Sequence, residues 1–111
     1  MVISDVGKDV ELQELGSPEA VGARLMQEVI APEGAGREVD LVEATERKNN
    51  DHIFYDLEYS VHLQDRDRHE LATVVVDRGY LYTLAASTNE ERWLKVKKIF
   101  ERAITSFTFL I

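Results

Sequence analysis

The 111-residue sequence contains no cysteine, only two prolines, and no apolar run long enough to cross a bilayer. Without cysteine, a disulfide framework, a cysteine-ligated zinc ribbon and a thiol nucleophile are all excluded. A transmembrane helix needs about 20 consecutive apolar residues, and we expect none here. Residues 2–5 lack the pattern of a cleavable leader, so we expect no signal peptide in this sequence. The chain must therefore gain its stability from a hydrophobic core.

Basic residues are also scarce, since 13 lysines and arginines stand against 21 acids, for a formal net charge of −8. Such a surface repels phosphate backbones, so we expect no nucleic-acid partner. It is suited either to docking on a basic protein surface or simply to solvation. Apolar residues make up 44% of the chain, which is enough for one domain with its own core, and we expect that domain to span residues 1–111.

The N-terminal third predicts a short strand, a loop and a helix. Scattered apolar residues in 2–15 indicate a strand followed by a loop. Ser17 and Pro18 predict an N-cap and a first helical position. A serine hydroxyl can accept a hydrogen bond from a free backbone N–H of the first turn. Proline has no backbone N–H, and at the first helical position that group would have no partner. An apolar stripe at helical spacing follows, formed by Val21, Leu25, Met26, Val29 and Ile30. Pro32 and Gly34 end the predicted helix.

Four strands are predicted in the middle of the sequence. The clearest is 53–63, where apolar and polar residues alternate as in a strand with one buried face. Residues 37–47 have a weaker pattern, 69–77 hold an apolar run typical of a central strand, and 80–86 follow a tight turn. Short connections favour an antiparallel meander. The tyrosines of these strands are expected to line the sheet faces: Tyr55, Tyr59, Tyr80 and Tyr82.

The C-terminal part predicts a second helix over about 89–105, with Thr88 and Glu91 at the spacing of a capping box. Its inner face is predicted to carry Trp93, Val96, Phe100, Ala103, Ile104 and Phe107. Alternating apolar residues in 107–111 indicate a final strand. Together the elements predict an α+β fold, an αβα sandwich in which an antiparallel meander sheet lies between an N-terminal and a C-terminal helix.

Motifs of nucleotide-binding, zinc-protease and hydrolase sites do not occur, and we predict no catalytic residue and no enzyme activity. Asp56 and Glu58 share one strand face, a spacing that acid–base catalysis could use. Strand carboxylates usually face water, and we expect these two to do so. His52 opens a strand and is also expected to face solvent.

The other two histidines flank a charged loop at 64–68. His62 and His69 would approach each other across this hairpin, with Asp65 and Asp67 between them. Two imidazoles and two carboxylates are ligands that Zn²⁺ accepts, so a metal site is one hypothesis. The alternative is that His69 pairs with an acid from another element.

Several short motifs run through almost the whole chain in a fixed order. They are Leu15-Gly16-Ser17-Pro18-Glu19, Val29-Ile30-Ala31-Pro32, Tyr55-x-x-Glu58-Tyr59, Arg68-His69-Glu70-Leu71-Ala72, Leu81-Tyr82-Thr83-Leu84, Glu91-Arg92-Trp93 and Ser106-Phe107. In this order and spacing they resemble the PsbP family, and in detail its PsbP-like and cyanobacterial CyanoP branch.

The resemblance implies an αβα sandwich and a non-catalytic extrinsic protein of the thylakoid lumen, peripheral on the thylakoid membrane of a chloroplast or cyanobacterium. It implies association with lumenal photosystem II subunits and support of the oxygen-evolving complex, or of its assembly and repair. In this family the PsbP subunit helps to retain the Ca²⁺ and Cl⁻ of the manganese cluster. Other members imply a role in photosystem I assembly or in the chloroplast NDH complex. The fold is shared with Mog1-like adaptors, which bind a small GTPase.

Two further expectations come from the resemblance. Family members carry early N-terminal strands, which implies that this sequence is N-terminally incomplete. The family also pairs a histidine near the start of the third meander strand with an acid at the start of the last helix, and His69 and Glu90 match these positions. We expect a structural pair and no intrinsic cofactor. If an ion such as Zn²⁺ or Ca²⁺ binds, these two residues are its predicted ligands.

Overall fold

The structure, a computed structural model, describes residues 2–26, 38–49 and 51–106. In these ranges it contains a five-stranded antiparallel sheet in the order β1-β5-β4-β3-β2. The elements are β1 (Val2–Asp5), a 3₁₀ turn (Leu12–Leu15), α1 (Pro18–Leu25), β2 (Glu38–Asn49), β3 (His52–His62), β4 (Asp67–Asp77), β5 (Tyr80–Asn89) and α2 (Glu90–Thr105).

Strands β2 to β5 form the predicted meander, and β4 is central because the residues 71–75 are buried on both faces. The turn between β4 and β5 has only two residues, Arg78 and Gly79, and both have positive φ, of 51° and 85°. This mirror-image turn matches the twist of the two strands that it joins. The predicted N-terminal strand is also present, and β1 extends the sheet by pairing with β5.

Helix α1 covers one face of the sheet. The alternation in β3 places Tyr55, Leu57 and Tyr59 under it, in a core with buried α1 residues such as Val21. The predicted N-cap is confirmed, since the Ser17 hydroxyl accepts a hydrogen bond from the Ala20 N–H at 3.2 Å. The phenol of Tyr59 is fully buried and donates to the carbonyl of Gly22 at 2.8 Å.

Helix α2 covers the opposite face. Trp93 and Ile104 are buried against Leu71 of β4, and three half-buried residues pack around them: Leu84, Val96 and Phe100. The predicted αβα sandwich is therefore confirmed. No helix in the described ranges is long and apolar enough to span a bilayer.

Three details differ from the prediction. The capping box is wrong, because Thr88 still belongs to β5, and Asn89 occupies the N-cap position without a capping hydrogen bond from its side chain. The Asn89 amide oxygen instead accepts from Arg68 at 3.0 Å. Ala103 is exposed, so it is not on the inner face of α2. Of the four tyrosines, Tyr80 is 45% exposed at the start of β5.

Some predictions fall on residues that the structure does not describe. They concern the second half of the first helix with its stop signal, and the C-terminal strand. The residues involved are Val29, Ile30, Pro32, Gly34, Phe107 and the range 107–111.

Candidate functional site

Two polar clusters lie on the α2 side of the sheet, one at each end of the helix. The first is built around His69, which is only 5% exposed in β4. Its Nδ1 lies 3.0 Å from Glu90 Oε2, at the first residue of α2, and its Nε2 lies 2.7 Å from Glu58 Oε2 in β3. The imidazole also stacks on the indole of Trp93, with ring centroids 3.9 Å apart and planes 17° apart. His69 thus connects two strands to the N-terminal end of α2.

The hydrogen bonds that this histidine cluster can make depend on its donors and acceptors. An ionised carboxylate only accepts hydrogen bonds, whereas a neutral imidazole can donate from only one of its nitrogens. Since both nitrogens of His69 face a carboxylate, both contacts are made when the ring carries two N–H groups and a positive charge. Glu90 gains a second favourable interaction, because a carboxylate in the first turn of a helix faces the positive end of the helix dipole.

The second cluster is built around Arg47 of β2. Its guanidinium contacts both carboxylate oxygens of Asp56, at 2.8 and 3.2 Å, and lies 4.5 Å above the ring of Phe54. It also donates to the carbonyls of Ile104 and Thr105, each at 3.4 Å, in the last turn of α2. Carbonyls of a last turn have no partner within their own helix, so Arg47 caps the C-terminal end of α2.

The expectation that Asp56 and Glu58 face water is wrong. Both side chains are about one-fifth exposed, because α2 covers this face of β3. Asp56 pairs with Arg47 and accepts from the Thr73 hydroxyl at 2.8 Å, while Glu58 is held by His69. A cleft of about 220 Å³ lies beside both carboxylates, between the sheet and the C-terminal half of α2. Acid–base chemistry in this cleft would first have to break these contacts.

His62 belongs to a separate, more exposed cluster. Its Nδ1 lies 3.0 Å from Asp67 Oδ1 and its Nε2 lies 3.2 Å from Asp40 Oδ2. These hydrogen bonds, first that to Asp67 and then that to Asp40, raise the pKa of His62 above its usual 6.5. The hairpin therefore joins His62 to Asp67 but leaves His69 with other partners. Over residues 2–26, 38–49 and 51–106, no group of three or more histidine and acidic side chains is arranged to hold a metal ion.

His52 also differs from the prediction. Its side chain is 25% exposed, and Nε2 lies 3.2 Å from Asp77 Oδ1 across the β3–β4 end of the sheet. Sequence reasoning missed Arg47 altogether, because the pattern of its strand is weak and nothing in it marks an arginine that reaches the end of a distant helix. The nearest signal is the acid Asp56, which lies two residues along β3 from Phe54, the residue that pairs with Arg47.

Comparison with known proteins agrees with this fold. The PsbP family model matches residues 1–109, and the chain therefore belongs to the PsbP family. CyanoP of Thermosynechococcus vestitus is 43% identical over 97% of this chain and 62% of its own length. CyanoP of Synechocystis is 37% identical over 96% of this chain and 57% of its own length. PsbP-like protein 1, chloroplastic, of Arabidopsis thaliana is 30% identical over 90% of this chain and 43% of its own length.

A solved structure matches the fold directly. The solution structure of CyanoP from Synechocystis superposes with a TM-score of 0.84 and 37% identity, over 96% of this chain and 64% of that one. The sequence-based prediction of family and fold is thereby confirmed. The chain spans about three-fifths of the length of these CyanoP relatives.

Proposed function

We propose that this chain is the folded domain of a non-catalytic accessory protein of photosystem II. It resides in the thylakoid lumen, peripheral on the membrane, and supports the oxygen-evolving complex or its assembly and repair. The observation that carries the proposal is the likeness to CyanoP, at 43% identity over 97% of the chain, with the same fold.

The polar clusters support a scaffold role. Four buried or half-buried ionisable side chains of the sheet lie against α2. They form two pairs, His69 with Glu58 and Arg47 with Asp56. Their hydrogen bonds fix the helix on the sheet. A protein whose inward-facing charges are used in this way acts through its outer surface, by contacts with a larger assembly.

The partner is tested by purification from the membrane. The full-length protein with an affinity tag is expressed in a cyanobacterium, solubilised in mild detergent and purified, and its companions are identified by mass spectrometry. We expect photosystem II subunits, and release of the protein by a salt wash if charge drives the contact. Recovery of photosystem I or NDH subunits alone would support the alternative family roles, and recovery of a small GTPase would support the Mog1-like role.

The compartment is tested by protease protection. In sealed, right-side-out thylakoids the protein should resist added protease and become sensitive once the membrane is opened. Digestion in sealed thylakoids would contradict a lumenal location.

We also propose that His69 and Glu90 are a structural pair and hold no metal. The support is geometric, because both nitrogens of His69 already face carboxylates. Calorimetric titration with ZnCl₂ and CaCl₂ should show no binding that depends on this pair. Binding that is lost in His69→Ala but retained in His62→Ala would overturn the proposal and assign the site.

A further inference from the structure

The charge of α2 differs in sign from that of the rest of the molecule. The helix holds five of the 13 basic residues of the chain and only three of its 21 acids, so its formal charge is +2 while the remainder carries −10. Its basic residues are Arg92, Lys95, Lys97, Lys98 and Arg102. A cationic helix on an anionic protein produces a field that orients the molecule towards a partner.

None of these five cations forms an ion pair with another described residue. All are exposed, and within the described part of the chain none has a carboxylate within 4.0 Å. Two arginines of the sheet behave differently. Arg47 is held by Asp56, and Arg68 donates to Asn89 and to the Ser87 hydroxyl at 3.0 and 2.9 Å. In a chain with so many acids, the missing partners of α2 make its cations available to another molecule.

The outward surface of α2 has a defined shape. Trp93 and Ile104 face the sheet. Lys95, Lys98 and Arg102 follow the spacing i, i+3, i+7, which places them on one stripe along the opposite side of the helix. We call these three residues the basic stripe.

Two exposed aliphatic residues flank the basic stripe. Leu94 is 84% exposed and Ile99 is 67% exposed, the highest values among the large hydrophobic residues in the described part of the chain. At about 100° per residue they lie roughly 140° apart around the helix, one on each side of the stripe. Both face outward beside the stripe, so the two walls of a groove can contact them while the floor of the groove contacts the stripe.

We propose that α2 docks through the basic stripe, Leu94 and Ile99 into an acidic groove on a partner protein. The inference rests on the proposed function, for which it names the docking face and the chemistry of the partner surface. Carboxylates in the groove pair with the stripe, and apolar walls cover the two aliphatic residues. The strongly acidic remainder of the molecule points away from the partner, because like charges there would repel it.

The test uses the full-length protein and isolated photosystem II cores in a direct binding measurement at low and moderate salt. The charge-reversal variant is Lys95→Glu with Lys98→Glu. Its matched control is Lys48→Glu with Arg66→Glu, which makes the same change in net charge at exposed positions on the sheet and its hairpin. Leu94→Ser with Ile99→Ser tests the apolar contacts without a change in charge. Circular dichroism establishes that each variant is folded.

We expect the α2 charge reversal to weaken binding by about tenfold or more and to reduce its salt dependence, while the control changes binding only about threefold or less. The aliphatic pair should weaken binding with an unchanged salt dependence. Equal effects of both charge reversals, or no effect of either α2 variant, would overturn the docking face. If the unaltered protein does not bind the cores at all, the proposed function fails instead.

Vesicles distinguish a protein partner from a membrane. Phosphatidylglycerol vesicles are offered to the same proteins in place of the cores. We expect no binding that depends on α2. Vesicle binding that the Lys95/Lys98 reversal abolishes would overturn the protein groove and indicate that the helix lies on an anionic lipid surface.

Discussion

On the α1 side of the sheet, helix and strands meet through buried apolar side chains, and the hydroxyls of Tyr55 and Tyr59 each donate to a glycine carbonyl of the covering segment at 2.8 Å. On the α2 side the apolar contact is smaller, around Leu71, Trp93 and Ile104, and polar clusters lie at both ends of the helix. One helix is thus held mainly by its area of contact, and the other is positioned at its two ends.

The α1 side therefore contributes mainly to the stability of the fold, and the α2 side mainly to the position of its helix. Hydrophobic burial is not directional, so the α1 core supplies free energy of unfolding without fixing the helix at one point. Hydrogen bonds to charged groups are directional and short in range, so the clusters at Glu90 and at the carbonyl of Ile104 determine where α2 lies on the sheet. Four variants or measurements test this division, from the largest expected effect to the smallest.

The strongest test of the α1 core is Leu57→Ala. Leu57 is 2% exposed, and its truncation leaves a cavity under α1, so we expect the free energy of unfolding to fall by about 2–5 kcal/mol. Urea denaturation followed by circular dichroism measures it. Val42→Ala is the control, because Val42 is 54% exposed and should change stability by less than about 0.5 kcal/mol. Similar losses in both variants would contradict the central role of this core.

The matching test on the α2 side is His69→Ala. It removes the ring that stacks on Trp93 and leaves Glu58 and Glu90 without their donor, at a cost of about 1–3 kcal/mol. Hydrogen exchange should become faster in the first turns of α2 than in α1, since only one end of α2 is released. His62→Ala, in the exposed cluster, should leave that exchange unchanged. Uniform acceleration in both helices would show that His69 contributes stability but not placement.

A smaller effect is expected from Tyr59→Phe. The change deletes one buried hydroxyl and leaves the Gly22 carbonyl without that donor, so the free energy of unfolding should fall by about 1 kcal/mol with the fold intact. The same denaturation experiment measures it. A loss as large as that of Leu57→Ala would mean that this hydrogen bond, and not area of contact, holds α1.

The smallest effect concerns the pH dependence of His62. Because Asp67 and Asp40 raise its pKa above 6.5 in the folded protein, its contribution to stability is complete below pH 6.5 and is lost as the pH rises through the raised value. Proton NMR of the ring should give a titration midpoint above 6.5, and Asp67→Asn should lower it more than Asp40→Asn does. A midpoint at or below 6.5 in the unaltered protein would contradict the two hydrogen bonds.

The sequence predicted the sheet and both helices because each has a local signal. Alternation in β3, the apolar run in β4 and the Ser17–Pro18 start of α1 depend only on neighbouring residues. The capping box failed because β5 continues to Asn89, where pairing with Arg68 of β4 outweighs the local preference of Thr88.

The polar clusters were only partly predictable. Periodicity shows that Asp56 and Glu58 share a face, but it does not show what covers that face. Arg47 contacts Asp56, nine positions away, and the carbonyls at the end of α2, 57 and 58 positions away. These contacts depend on the strand register and on the length of the helix together. The pairing of His69 with Glu90 was anticipated only through the family resemblance, and the part played by Glu58 in the same cluster was not.

The stacking of Trp93 on His69 has a practical consequence. The chain has one tryptophan, so its ultraviolet emission comes chiefly from a single indole. The centroid of that indole lies 3.9 Å from that of the His69 imidazole, at the N-terminal end of the proposed docking helix. Any rearrangement of this corner when the protein meets its partner will alter the intensity or colour of the emitted light. The molecule therefore carries an internal optical reporter, readable without a dye.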